Sequence, residues 1–185
     1  MSFRWLPTAS FPRLEGGKPA LAGVAAAVIV LAGCGSGGHK ASASDVKTVS
    51  GGGYRFSAPS SWSVSRTGRE VTAIGDPVDL VGVTTFRLAR AYRPSLWTKA
   101  VEALDRTAAD LAAQYDGELL ARKTIVVTGR RARRYEIAYH ADGVAMVEQI
   151  AFVLEGRREY QVLCRFERGG DDGACRNLFS SFRLG

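Results

Sequence analysis

Residues 94–117, PSLWTKAVEALDRTAADLAAQYDG, decide the fold class. Trp97, Val101, Leu104, Ala108, Leu111 and Tyr115 recur every three or four positions, which is one face of an amphipathic helix. Lys99, Glu102, Asp105, Arg106 and Asp110 take much of the remaining surface. Ser95 is the expected N-cap and Gly117 the expected stop.

What flanks this segment reads as strand. Upstream, Tyr54–Ser57 alternates until Ala58-Pro59 halts it, and Ser60, Ser61 and Trp62 form a turn. Val71–Ile74 ends in Gly75-Asp76-Pro77, and the β-branched run Leu80–Ala89 makes a third strand. Downstream come four more: Glu118–Thr128, Ala132–His140, Val144–Leu154 and Glu159–Phe166. Asp142-Gly143 joins two of them as a hairpin turn. Asp171-Asp172-Gly173 opens a short C-terminal helix, with acidic residues at its positive end and Cys175, Leu178, Phe179 and Phe182 on its inner face. The class is α+β: an antiparallel sheet flanked by one long and one short helix.

The N-terminal third reads differently. Residues 1–18 carry Arg4, Arg13 and Lys18, and residues 19–33, PALAGVAAAVIVLAG, carry no charge. A basic segment before a short apolar run is the pattern of a signal peptide, and the run falls short of the ~20 residues of a spanning helix. Leu31-Ala32-Gly33-Cys34 looks like the lipobox of bacterial lipoproteins. Residues 1–33 are therefore expected to be the signal peptide, and Cys34 the lipidated first residue of the mature chain. Two or three acyl chains there would anchor the protein stably on the extracytoplasmic face of the cell membrane. Residues 35–53, rich in Gly, Ser and Ala, are expected to be a flexible tether that carries His39, and residues 54–185 the folded domain.

Composition sets outer bounds. Of 185 residues, 152 follow Gly33, one domain's worth. A hydrophobic fraction of 46% and a charged fraction of 23% are those of a globular chain. The net charge of +7 comprises +2 before Cys34 and +5 after it, a modest basic excess. Lipidation explains the odd cysteine of three. Cys164 and Cys175 are left as an even pair, which in an exported chain reads as a disulfide. A redox or metal pair is the competing reading; the spacing is not CxxC, and no His lies nearby in sequence.

Order and motifs together resemble the PsbP-like fold, the group of the extrinsic PsbP subunit of photosystem II and of LpqN-type bacterial lipoproteins. The resemblance runs from about Tyr54 to Leu184. Tyr54-Arg55-Phe56-Ser57-Ala58-Pro59 with Trp62 is similar to its opening F-x-x-P-x-x-W pattern. Gly129-Arg130-Arg131-Ala132 is similar to its Gly-x-x-Ala turn entering a strand, and Gln149 and Ser180-Ser181-Phe182 fit as well. The resemblance implies an α/β/α-like sandwich and a binding or assembly module. It does not imply an enzyme.

The residues themselves say little for catalysis. His140, the only histidine of the domain, sits beside the Asp142-Gly143 turn without a Gly-x-Ser-x-Gly elbow. No metal set has workable spacing; helix capping explains Asp171-Asp172. No cofactor is expected beyond the lipid on Cys34. The one notable charge feature is Arg130, Arg131, Arg133 and Arg134, with Arg122 and Lys123 nearby. In a strand, Arg131 and Arg133 share one face and Arg130 and Arg134 the other. The cluster reads either as a dock for anionic lipid, wall polymer or an acidic partner, or as a solvated edge guarded by charge. Trp97 is expected in the core, while Trp62 is open between core and pocket. The leading functional reading is a membrane-anchored, non-catalytic interaction or assembly module with an envelope protein as partner and no nucleic acid. A small-molecule or lipid carrier is the alternative, expected to show an apolar cavity, and an envelope enzyme comes third.

Overall fold

A computed structural model describes residues 45–185; the expected signal peptide, Cys34 and the first part of the tether lie outside the described residues. Ten strands, a long helix, a short helix and a 3-10 turn follow one another. Strands β3 (Ser63–Thr67), β4 (Glu70–Ile74), β5 (Leu80–Arg87), β6 (Glu118–Val127), β7 (Arg130–Ala141), β8 (Val144–Glu155) and β9 (Arg158–Glu167) form one antiparallel sheet, ordered β3-β4-β5-β9-β8-β7-β6. Strands β1 (Val46–Gly51), β2 (Tyr54–Pro59) and β10 (Arg183–Leu184) form a second, with β2 in the middle. The α+β class with a long and a short helix is the one the sequence predicts.

Strand β1 corrects the expected extent of the tether. The Gly-Ser composition hid it, yet Val49 is 2% exposed and pairs opposite Phe56, so one apolar anchor suffices when β2 supplies the ladder. Strand β3 was also missed: its polar sequence SVSRT borrows its conformation from β4 through a tight hairpin.

Helix α1 (Trp97–Gln114) packs on β6 and β7, and α2 (Gly173–Ser181) packs on β5, β9 and β2. Strand alternation places the helices on opposite faces. Tyr135, Ile150 and Leu163 stand in one register row on the α1 face, and Glu136, Gln149 and Cys164 in the next row on the α2 face. The layers are thus α1, the large sheet, and a third made of α2 with the small sheet. The third layer closes over Val81, Val83, Val162 and Cys164 with Phe56, Leu178 and Phe182. Cys164 and Cys175 form the disulfide, Cα atoms 5.4 Å apart, and fix α2 to β9.

Both ends of α1 depart from expectation. Ser95 caps nothing: the 3-10 turn Pro94–Leu96 precedes the helix, whose N-cap position falls on Leu96 without a side-chain bond. At the other end Asp116, not Gly117, takes the left-handed conformation (φ 50°). The amides of Asp116 and Gly117 donate to the carbonyls of Ala113 (3.2 Å) and Ala112 (2.9 Å), the paired bonds of a Schellman cap. Gly117 is needed for another reason: a Cβ there would lie 2.6 Å from the Ala138 carbonyl oxygen. The Asp142-Gly143 turn is as predicted, with φ of 52° and 80°.

Candidate functional site

Arg130, Arg131, Arg133 and Arg134 begin β7, and the pleat divides them. They do not make one patch. On the α1 face, Arg133 meets Asp105 through Nε (2.9 Å) and Nη2 (3.1 Å), a forked ion pair, and the Tyr135 hydroxyl donates to the same carboxylate at 2.5 Å. Burial pushes the Asp105 carboxyl up, but the bonds from Arg133 and Tyr135 outweigh it and hold its pKa below the ordinary value. Arg131 lies over the Trp97 ring, 5.3 Å from its centroid. Trp97 is therefore a half-buried platform at the start of α1 rather than a core residue.

On the α2 face, Arg130 pairs with Glu155 at the surface. Arg134 is different. Its guanidinium sits 4.6 Å from the centroid of Phe179 on α2 and donates to the Gln149 side-chain carbonyl. The Gln149 amide in turn donates to Glu136 at 3.1 Å. Arg134 makes no ion pair among the described residues, and burial lowers its pKa.

Arg134 floors a groove of about 350 Å³ between the β6–β7 hairpin and α2. Ile125, Val126 and Val127 form one wall, Phe179, Ser180 and Arg176 the other, and Gln149 lies beneath with Arg134. Val126 is 72% exposed at the rim, and β6 is the last strand of the sheet. The hairpin ends in Thr128-Gly129, both at positive φ (52° and 75°). A β-branched residue is strained there, so the tip of this wall is a shape the rest of the hairpin imposes. Sequence alone offers Arg134 but not the groove, because Phe179 and Arg176 come from α2, some forty positions on.

The other sequence candidates fall apart spatially. Cys164 and Cys175 are tied up in the disulfide. His140 is exposed at the far end of β7. The Asp171 carboxylate accepts from the Gly173 amide at 2.9 Å in a turn that leads into α2, while Asp172, at the N-cap position, makes no side-chain cap bond, so the expected capping is not made. Trp62 lies against Gly75 and packs on the core beside the small sheet. The sequence missed two buried acids on the α1 face, Glu148 and Glu159. Burial raises the Glu148 carboxyl to about 7 against a weaker opposing pull from Arg165, and the Tyr139 hydroxyl bonds it at 3.3 Å. No signal betrays it: a Glu in a strand normally points to water, and only the register reveals that this one points inward.

Comparison with solved structures supports the fold. The chain is similar to the cyanobacterial PsbP (CyanoP) of Synechocystis sp. PCC 6803, with a TM-score of 0.58 at 17% identity over 84% of this chain and 99% of that one. A protein of Bacteroides thetaiotaomicron VPI-5482 aligns with a TM-score of 0.53 at 9% identity over 71% of this chain. The present chain spans 45% of that protein's length. LpqN of Mycobacterium tuberculosis, described as involved in cell envelope biogenesis, aligns with a TM-score of 0.46 at 10% identity over 76% of this chain and 90% of LpqN. The fold is PsbP-like. No protein-family model matches the chain, and no curated protein matches it.

Proposed function

We propose that the chain is an exported lipoprotein, held by lipid on Cys34 to the extracytoplasmic face of the cell membrane. In this reading its PsbP-like domain is a non-catalytic interaction or assembly module of the envelope. The observation that carries the interaction reading is Arg134. A half-buried guanidinium that makes no direct ion pair among the described residues, with Glu136 reached only through Gln149, laid over Phe179 in an apolar-walled groove, is an arrangement completed by an incoming acidic group. The apolar run ending in Leu31-Ala32-Gly33-Cys34 supports the address.

The test is crosslinking of the tagged full-length protein in its native membrane, with mass spectrometry of what is captured. A reproducible partner lost in the Arg134→Ala, Phe179→Ala protein but kept in Arg106→Ala would support the module and its groove. Capture that ignores both variants removes the groove from the reading. A small molecule that co-purifies in native mass spectrometry would favour a carrier instead. The anchor is tested apart: Cys34→Ala should abolish labelling by radioactive fatty acid, and retained label overturns it.

A further inference from the structure

The strand register sorts charge along the molecule as well as across it. At one end of the large sheet, β5 finishes with Arg87 and β9 starts with Arg158, directly opposite each other. Like charges facing across a ladder destabilise a sheet. Arg157 lies in the adjoining β8–β9 turn. The loop after β5 is bonded to that turn, Leu88 to the Arg157 carbonyl (2.9 Å) and Tyr92 to that of Gly156, and it carries Arg90 and Arg93. Arg130 and Arg131 come to the same end at the start of β7, and Arg69 in the β3–β4 turn is bonded across to Thr85. The acids there are few. Glu155 is taken by Arg130, Glu159 is buried one position inside, opposite Phe86, and Glu70 lies three residues inside, opposite Thr84.

The other end is its opposite. The turn between β4 and β5 contributes Asp76 and Asp79, the start of β6 contributes Asp116 and Glu118, and the β7–β8 turn contributes Asp142. Glu167 closes β9, and Asp171 and Asp172 lead α2. Arg168 and His140 are exposed basic groups among them, and Arg176 pairs with Asp171 and Asp172.

Several arginines are held in place. Arg69 lies over Phe86 at 4.9 Å and Arg131 over Trp97 at 5.3 Å. Arg157 donates to the Ala89 carbonyl at 3.4 Å, and Arg158 to that of Gly52 at 3.4 Å. Arg87, Arg90 and Arg93 are exposed and make no ion pair among the described residues. Fixed guanidinium forks set among aromatic rings match the composition of protein interface hot spots and the geometry of carboxylates.

We propose that the arginine end of the sheet is a docking surface for an acidic protein segment: its forked guanidinium groups complement carboxylates, and the aromatic rings of Phe86 and Trp97 beside them suit a peptide. The binding surface does not rest on the lipoprotein reading.

The experiment measures binding of fluorescent poly-L-glutamate to the full-length chain in neutral detergent, across a salt series. The Arg87→Gln, Arg90→Gln, Arg93→Gln protein should bind about tenfold more weakly and with a shallower salt dependence. The charge-matched Arg106→Gln, Lys123→Gln, Arg168→Gln protein should stay within about twofold of the parent. Equal losses in the two variants would mean that net charge alone is felt, and would overturn the proposal. So would tighter binding to phosphatidylglycerol vesicles, which assigns the surface to lipid, or to polyphosphate of matched charge, which assigns it to a phosphate polymer. Loss of fatty-acid labelling bears on the anchor alone, so the two readings fail separately.

Discussion

The two faces of the large sheet are covered by different chemistry. On the α2 face the third layer is apolar and closed over β5 and β9, where Phe56, Leu178, Phe182 and the disulfide cover Val81, Val162 and Cys164, and it opens into the Arg134 groove only toward β6 and β7. On the α1 face the cover is laced with polar groups. Asp105 ties the helix to Arg133 and Tyr135, and Glu148 lies buried beneath the stacked rings of Tyr115 and Tyr139. One face is held by area and covalent closure. The other is held by bonds that depend on protonation.

Predictions that break this contrast run from large to small. Phe182→Ala, which empties a site 0% exposed, should cost about 3–5 kcal/mol in urea or guanidinium unfolding. A cost under 1 kcal/mol would show the α2 layer to be loosely packed. Replacing both Cys164 and Cys175 by Ala should cost about 3 kcal/mol, since the bridge closes a short loop. Reductant should then leave the variant's unfolding midpoint unchanged while lowering that of the parent.

Glu148 is where pH enters. Its carboxyl titrates near 7 when folded and near its ordinary value of 4.5 when unfolded. The folded chain therefore holds a proton that the unfolded chain has released between those values. The stability that Glu148 contributes is greatest below pH 4.5, falls as pH rises toward 7 and is level above it. Glu148→Gln should be the more stable protein at pH 8, by on the order of 2 kcal/mol, and should lose that advantage at pH 4.5. Parallel pH profiles for parent and variant would remove Glu148 from the account. Asp105→Ala should cost about 1–2 kcal/mol, because the Tyr135 hydroxyl and the Arg133 fork lose their acceptor. A cycle with Arg133→Ala checks that the two changes are not additive.

Local pattern carried most of the fold. The stripe from Trp97 to Tyr115 and the alternation of β7 to β9 are properties of single elements, and they read correctly. What failed depends on partners. The β1 strand exists because β2 offers an edge, and Gly117 is required by its closeness to the Ala138 carbonyl while the left-handed turn falls on Asp116. The candidate site was half legible. Four adjacent arginines are visible in any reading, but a two-residue pleat sends them to two faces and a distant helix gives Arg134 its groove. The segregation of charge to the sheet's ends escapes the sequence entirely. It arises from turns that lie far apart along the chain and meet only through register.

The β1–β2 ladder has a mechanical meaning. Any pull transmitted through residue 45 is delivered along the axis of β1, whose six residues from Val46 to Gly51 face Pro59 to Tyr54. Ladder bonds run perpendicular to the strands, so such a load shears them together instead of opening them one by one. The first strand of the domain, written in a sequence that looks like slack tether, is the clamp that would carry a tug on the chain before the core feels it.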